Sequence, residues 1–248
     1  MDAFRYALSK WVYGYHVVLQ AIRRLELAED STLLYLGSGF GKTAMMAAEL
    51  FRCKVVGADL APVFVDRANR RAQERGLADH VRFLQLDPER PFLNLDVDGI
   101  LFESLLSFLG DPGGALTYYS GRIRGDGRMG VIEVTFLEAP TNSAAVQSLK
   151  EVFGEEANFR DESSWLRLFE ESGLQRLEGR ARSLGLGTKF WDDLMVEPIG
   201  TLVDLGKTLY AAHTKESGKR SMRLFRRFFR EYSKTMVCAS HILTKTAG

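Results

Sequence analysis

Short apolar runs of strand length alternate with helix-forming segments along the first half of the chain. The runs lie near residues 32–36, 54–58, 81–86, 97–102 and 129–137. Helix-forming segments separate the first three runs, and Asp111, Pro112 and Gly113 begin a short helix after the fourth. Strands and helices that alternate in this way predict a parallel sheet flanked by helices.

The two ends of the chain add helices and further strands to this pattern. Residues 3–27 carry an apolar stripe near helical spacing and predict one or two helices. Helices are expected at 144–153 and 163–172, and a sixth strand at 174–184. A segment of helical character at 188–234 precedes the last strand, 237–246, which we expect to close the sheet in the antiparallel direction.

Three alternating glycines, Gly37, Gly39 and Gly41, follow the first apolar run directly and precede a helix. Glycine tolerates positive φ and lets a ligand approach the main chain, and the following helix N-terminus favours polar or anionic groups. The second run ends in Asp59, 22 residues after Gly37, near the spacing at which such folds bind ribose hydroxyls. The sequence therefore predicts a ligand that contains a ribose.

Three nucleotide-binding patterns compete for this corner. A P-loop requires its first glycine five residues before Gly-Lys-Thr, where this chain has Leu36. A dinucleotide fold requires Gly-x-Gly-x-x-Gly, but here the third glycine comes one residue early. Gly-x-Gly-x-Gly with an acid at the end of the second strand instead resembles the class I S-adenosylmethionine-dependent methyltransferases.

The resemblance covers residues 30–183 and includes the third, fourth and fifth strands, at 81–87, 97–103 and about 129–137. It departs from the family pattern at Tyr35, where many members carry an acid, and at 124–127, which replaces Lys-Pro-Gly-Gly. It implies an α/β, doubly wound, Rossmann-like sheet of seven strands, mostly parallel with the last strand antiparallel. It also implies N-terminal helices, a helical insertion before the last strand, and S-adenosyl-L-methionine as cofactor.

The resemblance also implies which residues hold the methyl donor. These are Tyr13, Tyr15, Gly37, Ser38, Gly39, Gly41, Asp59, Leu60, Asp87, Pro88 and Glu103. A neutral acceptor needs a base or a polar partner, and the candidates are Glu103, Glu133 and His16. Burying an unpaired carboxylate is costly, so Glu133 amid apolar neighbours is either functional or turned to the surface. His16 is equally compatible with an ordinary packed or surface histidine.

Charge and cysteine content narrow the class of protein. Thirty-three basic and 32 acidic residues argue against a general polyanion binder. Cys53 and Cys238 lack metal-ligand spacing and are expected to be buried, and no metal site is expected. Without an apolar run of spanning length or a signal-peptide core, we expect a cytoplasmic protein.

We expect one methyltransferase domain over 1–248. Within it, 1–29 is a helical cover, 30–183 the nucleoside-binding core, 188–234 a helical insertion or lid, and 235–248 the final strand. Residues 218–230 interleave basic and aromatic side chains at helical spacing. This helix either caps the core, contacts an anionic substrate group, or associates with a membrane surface or nucleic acid.

The stretches after the fourth strand and along the fifth are similar to small-molecule methyltransferases such as the arsenite- and quinone-methylating groups. The signature of base N-methylation is absent after Glu103, so a nucleic-acid acceptor is not expected. Only two cysteines are present, so arsenite itself is not expected either. The alternatives are a non-catalytic S-adenosylmethionine-binding or regulatory protein and an NAD-type oxidoreductase. The acceptor atom and the oligomeric state stay open.

Overall fold

The structure, a computed structural model, describes residues 14–91, 94–139, 143–184 and 216–246. The α-helices in these ranges are α1 Tyr15–Arg23, α2 Lys42–Phe51, α3 Pro62–Glu74, α4 Pro112–Ser120, α5 Ser143–Phe153, α6 Glu162–Glu171 and α7 Glu216–Tyr232. The strands are β1 Thr32–Leu36, β2 Lys54–Asp59, β3 Val81–Gln85, β4 Val97–Glu103, β5 Ile123–Phe136, β6 Leu174–Ser183 and β7 Met236–Lys245. A short 3₁₀ turn lies at Leu106–Phe108.

The seven strands form one sheet in the order β3-β2-β1-β4-β5-β7-β6. The pairs from β3 to β5 are parallel, and β7 pairs antiparallel with both β5 and β6. The predicted doubly wound sheet with an antiparallel last strand is therefore confirmed. Strand β1 lies inside the sheet between β2 and β4, and Leu33 to Leu36 are at most 1% exposed, because helices cover both faces of a parallel sheet.

Two strand boundaries differ from the prediction. Strand β5 begins at Ile123 rather than at 129, and its register against β4 shifts between Val97 and Gly99. Gly125, with φ of 51°, lies in this irregular stretch, so the predicted turn before β5 is a bulge within a longer strand. Strand β3 ends at Gln85, and Asp87 therefore lies in the loop that follows it.

Helices α5 and α7 pack against each other through aromatic rings. The ring centroid of Phe153 lies 6.4 Å from that of Phe225 and 5.6 Å from that of Phe228. The first part of the predicted insertion, residues 188–215, and the predicted N-terminal helical residues 3–13 lie outside the described residues.

The predicted amphipathic character of 218–230 is confirmed in α7. Phe225 and Phe228 are 1% and 3% exposed, whereas the arginines at 223, 226, 227 and 230 are exposed. Arg227 forms an ion pair with Glu151 of α5. The helix thus covers the core with its apolar face, and its contact with a membrane stays a prediction. Over the described ranges, no helix has the length and apolarity needed to span a bilayer.

Both cysteines are buried and free, as expected. Burial raises the pKa of the Cys53 thiol to about 11 and that of Cys238 well above its usual value. The reactive thiolate form is therefore disfavoured at both positions.

Candidate active site

The glycine corner joins the end of β1 to the start of α2 and is tied to the end of β2. The backbone N–H groups of Gly37 and Ser38 donate to the carbonyl oxygen of Ala58 over 2.9 and 3.1 Å. The N–H of Gly39 donates to Oδ2 of Asp59 over 2.9 Å. These three bonds hold the loop and the predicted ribose-binding carboxylate in one rigid unit.

Two of the glycines serve different purposes. Gly39 has a φ of 56°, and a Cβ built there meets no atom within 4 Å, so the backbone is open to approach. Gly41 has a φ of 74°, and a Cβ there would clash with the Phe83 ring and lie 2.9 Å from the methyl of Ala68. Gly41 therefore lets α2 pack against its neighbours, whereas Gly39 leaves room beside the loop.

Asp59 combines a local structural role with free acceptor capacity. Its Oδ1 accepts the N–H of Ala61 over 3.0 Å, in addition to the bond from Gly39 to Oδ2, and the residue is 6% exposed. A carboxylate offers about four acceptor sites, so about two remain for ligand hydroxyls.

A cleft of about 480 Å³ opens at the carboxyl ends of β1, β2 and β3. Its lining comprises Leu36, Gly37, Ala58, Asp59, Leu60, Ala61, Pro62, Phe64, Leu86, Asp87, Pro88, Glu89, Leu105, Phe108, Leu109, Gly110 and Glu156. Apolar side chains dominate, four residues are acidic, and none of the described lining residues is basic. Such a cleft suits a flat apolar ring attached to hydroxyl-bearing or cationic groups.

The cleft brings together five of the predicted cofactor residues, Gly37, Asp59, Leu60, Asp87 and Pro88. Among the other predicted residues, Ser38 is buried, and Gly39, Gly41, Tyr15 and Glu103 are absent from the lining. The Tyr15 ring centroid lies 4.4 Å from Nζ of Lys42 at the start of α2. Tyr13 lies outside the described residues.

Glu103 ends β4 and is 6% exposed. The hydroxyl of Tyr35, in β1, donates a hydrogen bond to Oε2 of Glu103. Tyr35 stands where many family members carry an acid, and here it supplies the proton donor that a second carboxylate could not. The next residue, Ser104, has a φ of 47°, a left-handed backbone that is uncommon outside glycine.

Glu133 lies in β5 and holds the turn that follows Ser104. Its Oε1 accepts the N–H groups of Leu105 and Leu106, each over 2.8 Å, and its Oε2 accepts the hydroxyl of Ser107, also over 2.8 Å. Burial nevertheless raises the pKa of Glu133 to about 7. Leu105 lines the cleft, so Glu133 shapes one of its walls from behind and does not itself line it.

His16, the third predicted acid–base group, is exposed on α1 and forms a hydrogen bond with the side chain of Gln20. It is absent from the cleft lining.

The sequence patterns did not predict several residues that line the cleft, among them Phe64, Leu109 and Glu156. Phe64 follows Pro62 in the first turn of α3, and its ring centroid lies 4.4 Å from that of Phe40 in the glycine corner. The position of Phe64, five residues after Asp59, was therefore a signal in the sequence. Glu156 comes from a loop far along the chain, and no local pattern indicates it.

Comparison with known proteins finds matches over the part of the chain that forms most of the cleft. Residues 34–130 match the family model described as a methyltransferase domain. The chain is 49% identical over 58 residues to geranyl diphosphate 2-C-methyltransferase of Saccharopolyspora erythraea. This alignment covers 23% of this chain and 20% of that protein. It is 33% identical over 82 residues to tRNA 5-carboxymethoxyuridine methyltransferase of Escherichia coli K12, covering 32% and 31%. The matched part thus spans less than a third of either curated relative.

Solved structures share the fold over nearly the whole chain. The [4+2]-cyclase SpnF superposes with a TM-score of 0.74 at 19% identity, covering 94% of this chain and 81% of that one. A methyltransferase of Geobacter sulfurreducens in complex with S-adenosyl-L-homocysteine superposes with a TM-score of 0.69 at 17% identity, covering 93% and 90%.

Proposed function

We propose that this chain, whose residues 34–130 match a methyltransferase-domain family model, is a class I S-adenosylmethionine-dependent methyltransferase that transfers a methyl group from S-adenosylmethionine to a small-molecule acceptor. The observation that carries this proposal is the combination of an open glycine loop, the carboxylate of Asp59 and an apolar cleft that meet at one edge of the sheet.

The charge of the cleft supports this donor over a dinucleotide. The acidic residues Asp59, Asp87, Glu89 and Glu156 line it, and the described lining contains no basic side chain. A sulfonium nucleoside carries positive charge and ribose hydroxyls, both of which favour carboxylates. The phosphates of a nicotinamide dinucleotide would be repelled by the same groups, so the NAD alternative is disfavoured.

The bound donor supplies an electrophilic methyl group on a positive sulfur. The chain's own residues bind and orient it: Asp59 accepts from hydroxyls, and the apolar walls exclude water. Glu133 keeps the turn at 104–107 in one geometry through its three hydrogen bonds. In-line orientation of two reactants lowers a barrier by ~7–11 kcal/mol in favourable cases.

The small-molecule acceptor is supported by the relatives named for geranyl diphosphate. The relative named for tRNA modification favours a nucleic-acid acceptor instead, and the activity assay has to include both classes. Among the candidate acid–base groups, Glu103 ends the strand that leads into the cleft wall. Its part in the transfer, and that of His16, stay predictions.

Calorimetry with S-adenosylhomocysteine tests the donor site. We expect wild-type protein to bind it and Asp59→Ala to weaken binding by about a hundredfold, equivalent to ~2.8 kcal/mol. The variant also loses two buried hydrogen bonds to Gly39 and Ala61, so its unfolding free energy should fall by ~1–3 kcal/mol. The matched control is Asp66→Ala, an exposed aspartate on α3. Wild-type affinity in Asp59→Ala would contradict the ribose assignment.

Turnover separates the enzyme from a binding protein. Labelled S-adenosylmethionine is incubated with wild-type protein and either a small-metabolite extract or bulk tRNA. Label in the metabolite fraction supports the proposal, and label in tRNA alone would replace the acceptor class. Donor binding without transfer to either pool would favour the non-catalytic alternative.

A further inference from the structure

A second, smaller cavity of about 190 Å³ lies at the carboxyl end of β5, between α5 and the loop at 157–161. Its walls combine apolar side chains, among them Phe136, Val146, Leu149 and Phe159, with four polar or charged residues. A dry cavity of about 150 Å³ holds a benzene molecule, so this one admits a single ring or a short chain with one small substituent.

Among the described residues that line this cavity, Arg160 is the one cation. Its guanidinium carbon lies 5.1 Å from the ring centroid of Trp165, and its Nη1 donates to the carbonyl oxygen of Asn158 over 3.2 Å. Within the described ranges, the guanidinium forms no ion pair with a carboxylate. Arg160 is therefore a half-buried cation whose remaining N–H donors have no acidic partner there.

Two acids that share the surroundings of Arg160, Asp161 and Glu133, are engaged in other hydrogen bonds. Asp161 also lines the cavity, but its carboxylate accepts the Ser163 hydroxyl over 2.6 Å and the Ser164 N–H over 3.3 Å and so caps α6. Glu133 attracts the guanidinium from a distance, while burial lowers the pKa of Arg160. Its own carboxylate is occupied by the turn at 105–107.

The second cavity adjoins the donor cleft. Phe108 lines the cleft and Phe159 lines the cavity, and their rings meet edge to face with centroids 5.7 Å apart. Along the chain, Glu156 lines the cleft and the next residue, Ala157, lines the cavity. The cleft and the cavity therefore meet at the Phe108–Phe159 ring pair and at the backbone between Glu156 and Ala157.

We propose that this cavity is the acceptor subsite and that Arg160 selects an acceptor whose compact apolar body carries an anionic group, a carboxylate or a phosphate. The proposal rests on the methyltransferase function proposed above. The planar guanidinium fork matches both anions with paired hydrogen bonds, and the apolar walls hold the remainder of the molecule. Arg160 is thus a specificity-determining residue that contacts the acceptor.

Binding of three small probes tests the subsite without knowledge of the natural acceptor. Benzoate, phenyl phosphate and benzyl alcohol are titrated by ligand-observed NMR into wild-type protein, with and without saturating S-adenosylhomocysteine. Benzoate and phenyl phosphate represent the two anion classes, and benzyl alcohol is the neutral match. We expect at least one anion to bind about tenfold or more tightly than the alcohol, because hydrogen bonds to charged groups are the stronger ones.

Three variants test whether the probes bind in this cavity and at Arg160. Arg160→Gln should lower the affinity for the preferred anion about tenfold and leave that for benzyl alcohol unchanged. Val146→Trp, at a half-exposed helix position, should fill the cavity and abolish binding of all three probes while Arg160 stays intact. The matched control is Arg82→Gln, an exposed arginine on β3, which should bind the probes as wild type does.

Equal affinity for the anions and benzyl alcohol, an unchanged anion affinity in Arg160→Gln, unimpaired binding in Val146→Trp, or no binding of any probe would each overturn the proposal. If Arg160→Gln is unfolded, Val146→Trp still decides the location. Affinity for S-adenosylhomocysteine, measured in the same samples, separates the two proposals. If that ligand binds and the probes do not, only the acceptor inference fails.

Discussion

The hydroxyl of Ser107 donates a 2.8 Å hydrogen bond to Oε2 of Glu133, a carboxylate that is 1% exposed. The two residues join the turn after β4 to the carboxyl-terminal part of β5. Because Ser104 adopts a left-handed backbone just before this turn, the turn depends on Glu133 for its shape. In the structure this carboxyl group supports one wall of the cleft, and its catalytic role stays a prediction.

The raised pKa of Glu133 predicts a stability that falls as pH rises. Its folded pKa of about 7 exceeds the ordinary value of 4.5, so the folded state binds the proton more tightly. Its contribution is complete below about pH 4.5 and is lost as pH rises through about 7, by ~3 kcal/mol at most. Glu133→Gln mimics the protonated form, because its amide can donate to the Ser107 oxygen, and should abolish this loss.

Urea unfolding of wild type and Glu133→Gln at pH 5 and pH 8 measures the effect. The difference between the two proteins isolates Glu133 from other titrating groups. Glu138→Gln, at an exposed position just after β5, is the control and should keep the wild-type slope. An identical pH dependence in Glu133→Gln and wild type would refute the assignment.

His241 predicts the opposite pH dependence. It is 1% exposed, neither ring nitrogen has a hydrogen-bond partner among the described residues, and burial lowers its pKa to about 4. Glu162, whose Oε2 lies 3.7 Å from Nε2, partly offsets this shift, whereas the charge of Arg176 adds to it. The unfolded state then binds more protons between pH 6.5 and about 4, so stability present above pH 6.5 is lost on acidification.

His241→Phe should remove this acid-side loss. The ring contact with Phe169, with centroids 5.2 Å apart, can persist in the variant. Because two orphaned polar atoms disappear, the unfolding free energy at pH 7 should stay equal or rise by up to ~2 kcal/mol. Urea titrations at pH 4.5 and 7 measure both effects, with exposed His80→Phe as control. Persistence of the acid-side loss in His241→Phe would contradict the prediction.

Substitutions at Gly39 and Gly41 should act on different properties, ligand affinity at Gly39 and the free energy of unfolding at Gly41. Gly41→Ala should lower the unfolding free energy by ~2–5 kcal/mol, since left-handed strain adds to overpacking against Phe83 and Ala68. Gly39→Ala meets no atom and should cost only the strain, ~1–2 kcal/mol, while lowering affinity for S-adenosylhomocysteine about tenfold. Urea unfolding and calorimetry on both variants test this. Equal affinity losses with equal stability losses would show that the two glycines act alike.

Substitutions on the buried and exposed faces of the amphipathic helix α7 should change the free energy of unfolding by very different amounts. Phe228→Ala removes a ring that packs on Phe153 of α5 and should cost ~3–5 kcal/mol. Arg226→Gln, on the exposed face of the same helix, should change stability by less than ~0.5 kcal/mol. Chemical unfolding monitored by circular dichroism compares the two. A loss below ~1 kcal/mol in Phe228→Ala would mean that α7 does not hold the core.

Local spacing was enough to predict that the glycine corner and Asp59 lie together at one edge of the sheet. Gly37 and Asp59 each follow a buried strand, and parallel neighbours bring their carboxyl ends to one edge whatever the rest of the chain does. The same reasoning predicted the sheet, the antiparallel last strand and the two faces of α7. The prediction of the start of β5 was wrong, because the strand continues through an irregularity near Gly125 back to Ile123. The hydrophobic pattern does not change there.

The sequence by itself determined the glycine corner and the neighbouring Asp59, because strand period, glycine tolerance and the spacing to Asp59 are properties of short segments. Only the tertiary structure decided that Glu133 turns to Ser107 and that Arg160 reaches a cavity beside Phe159. A strand's alternation gives the face on which a side chain lies but not its partner, and that partner comes from segments far apart in the chain. Packing across the sheet edge settles those contacts, since no local pattern encodes them.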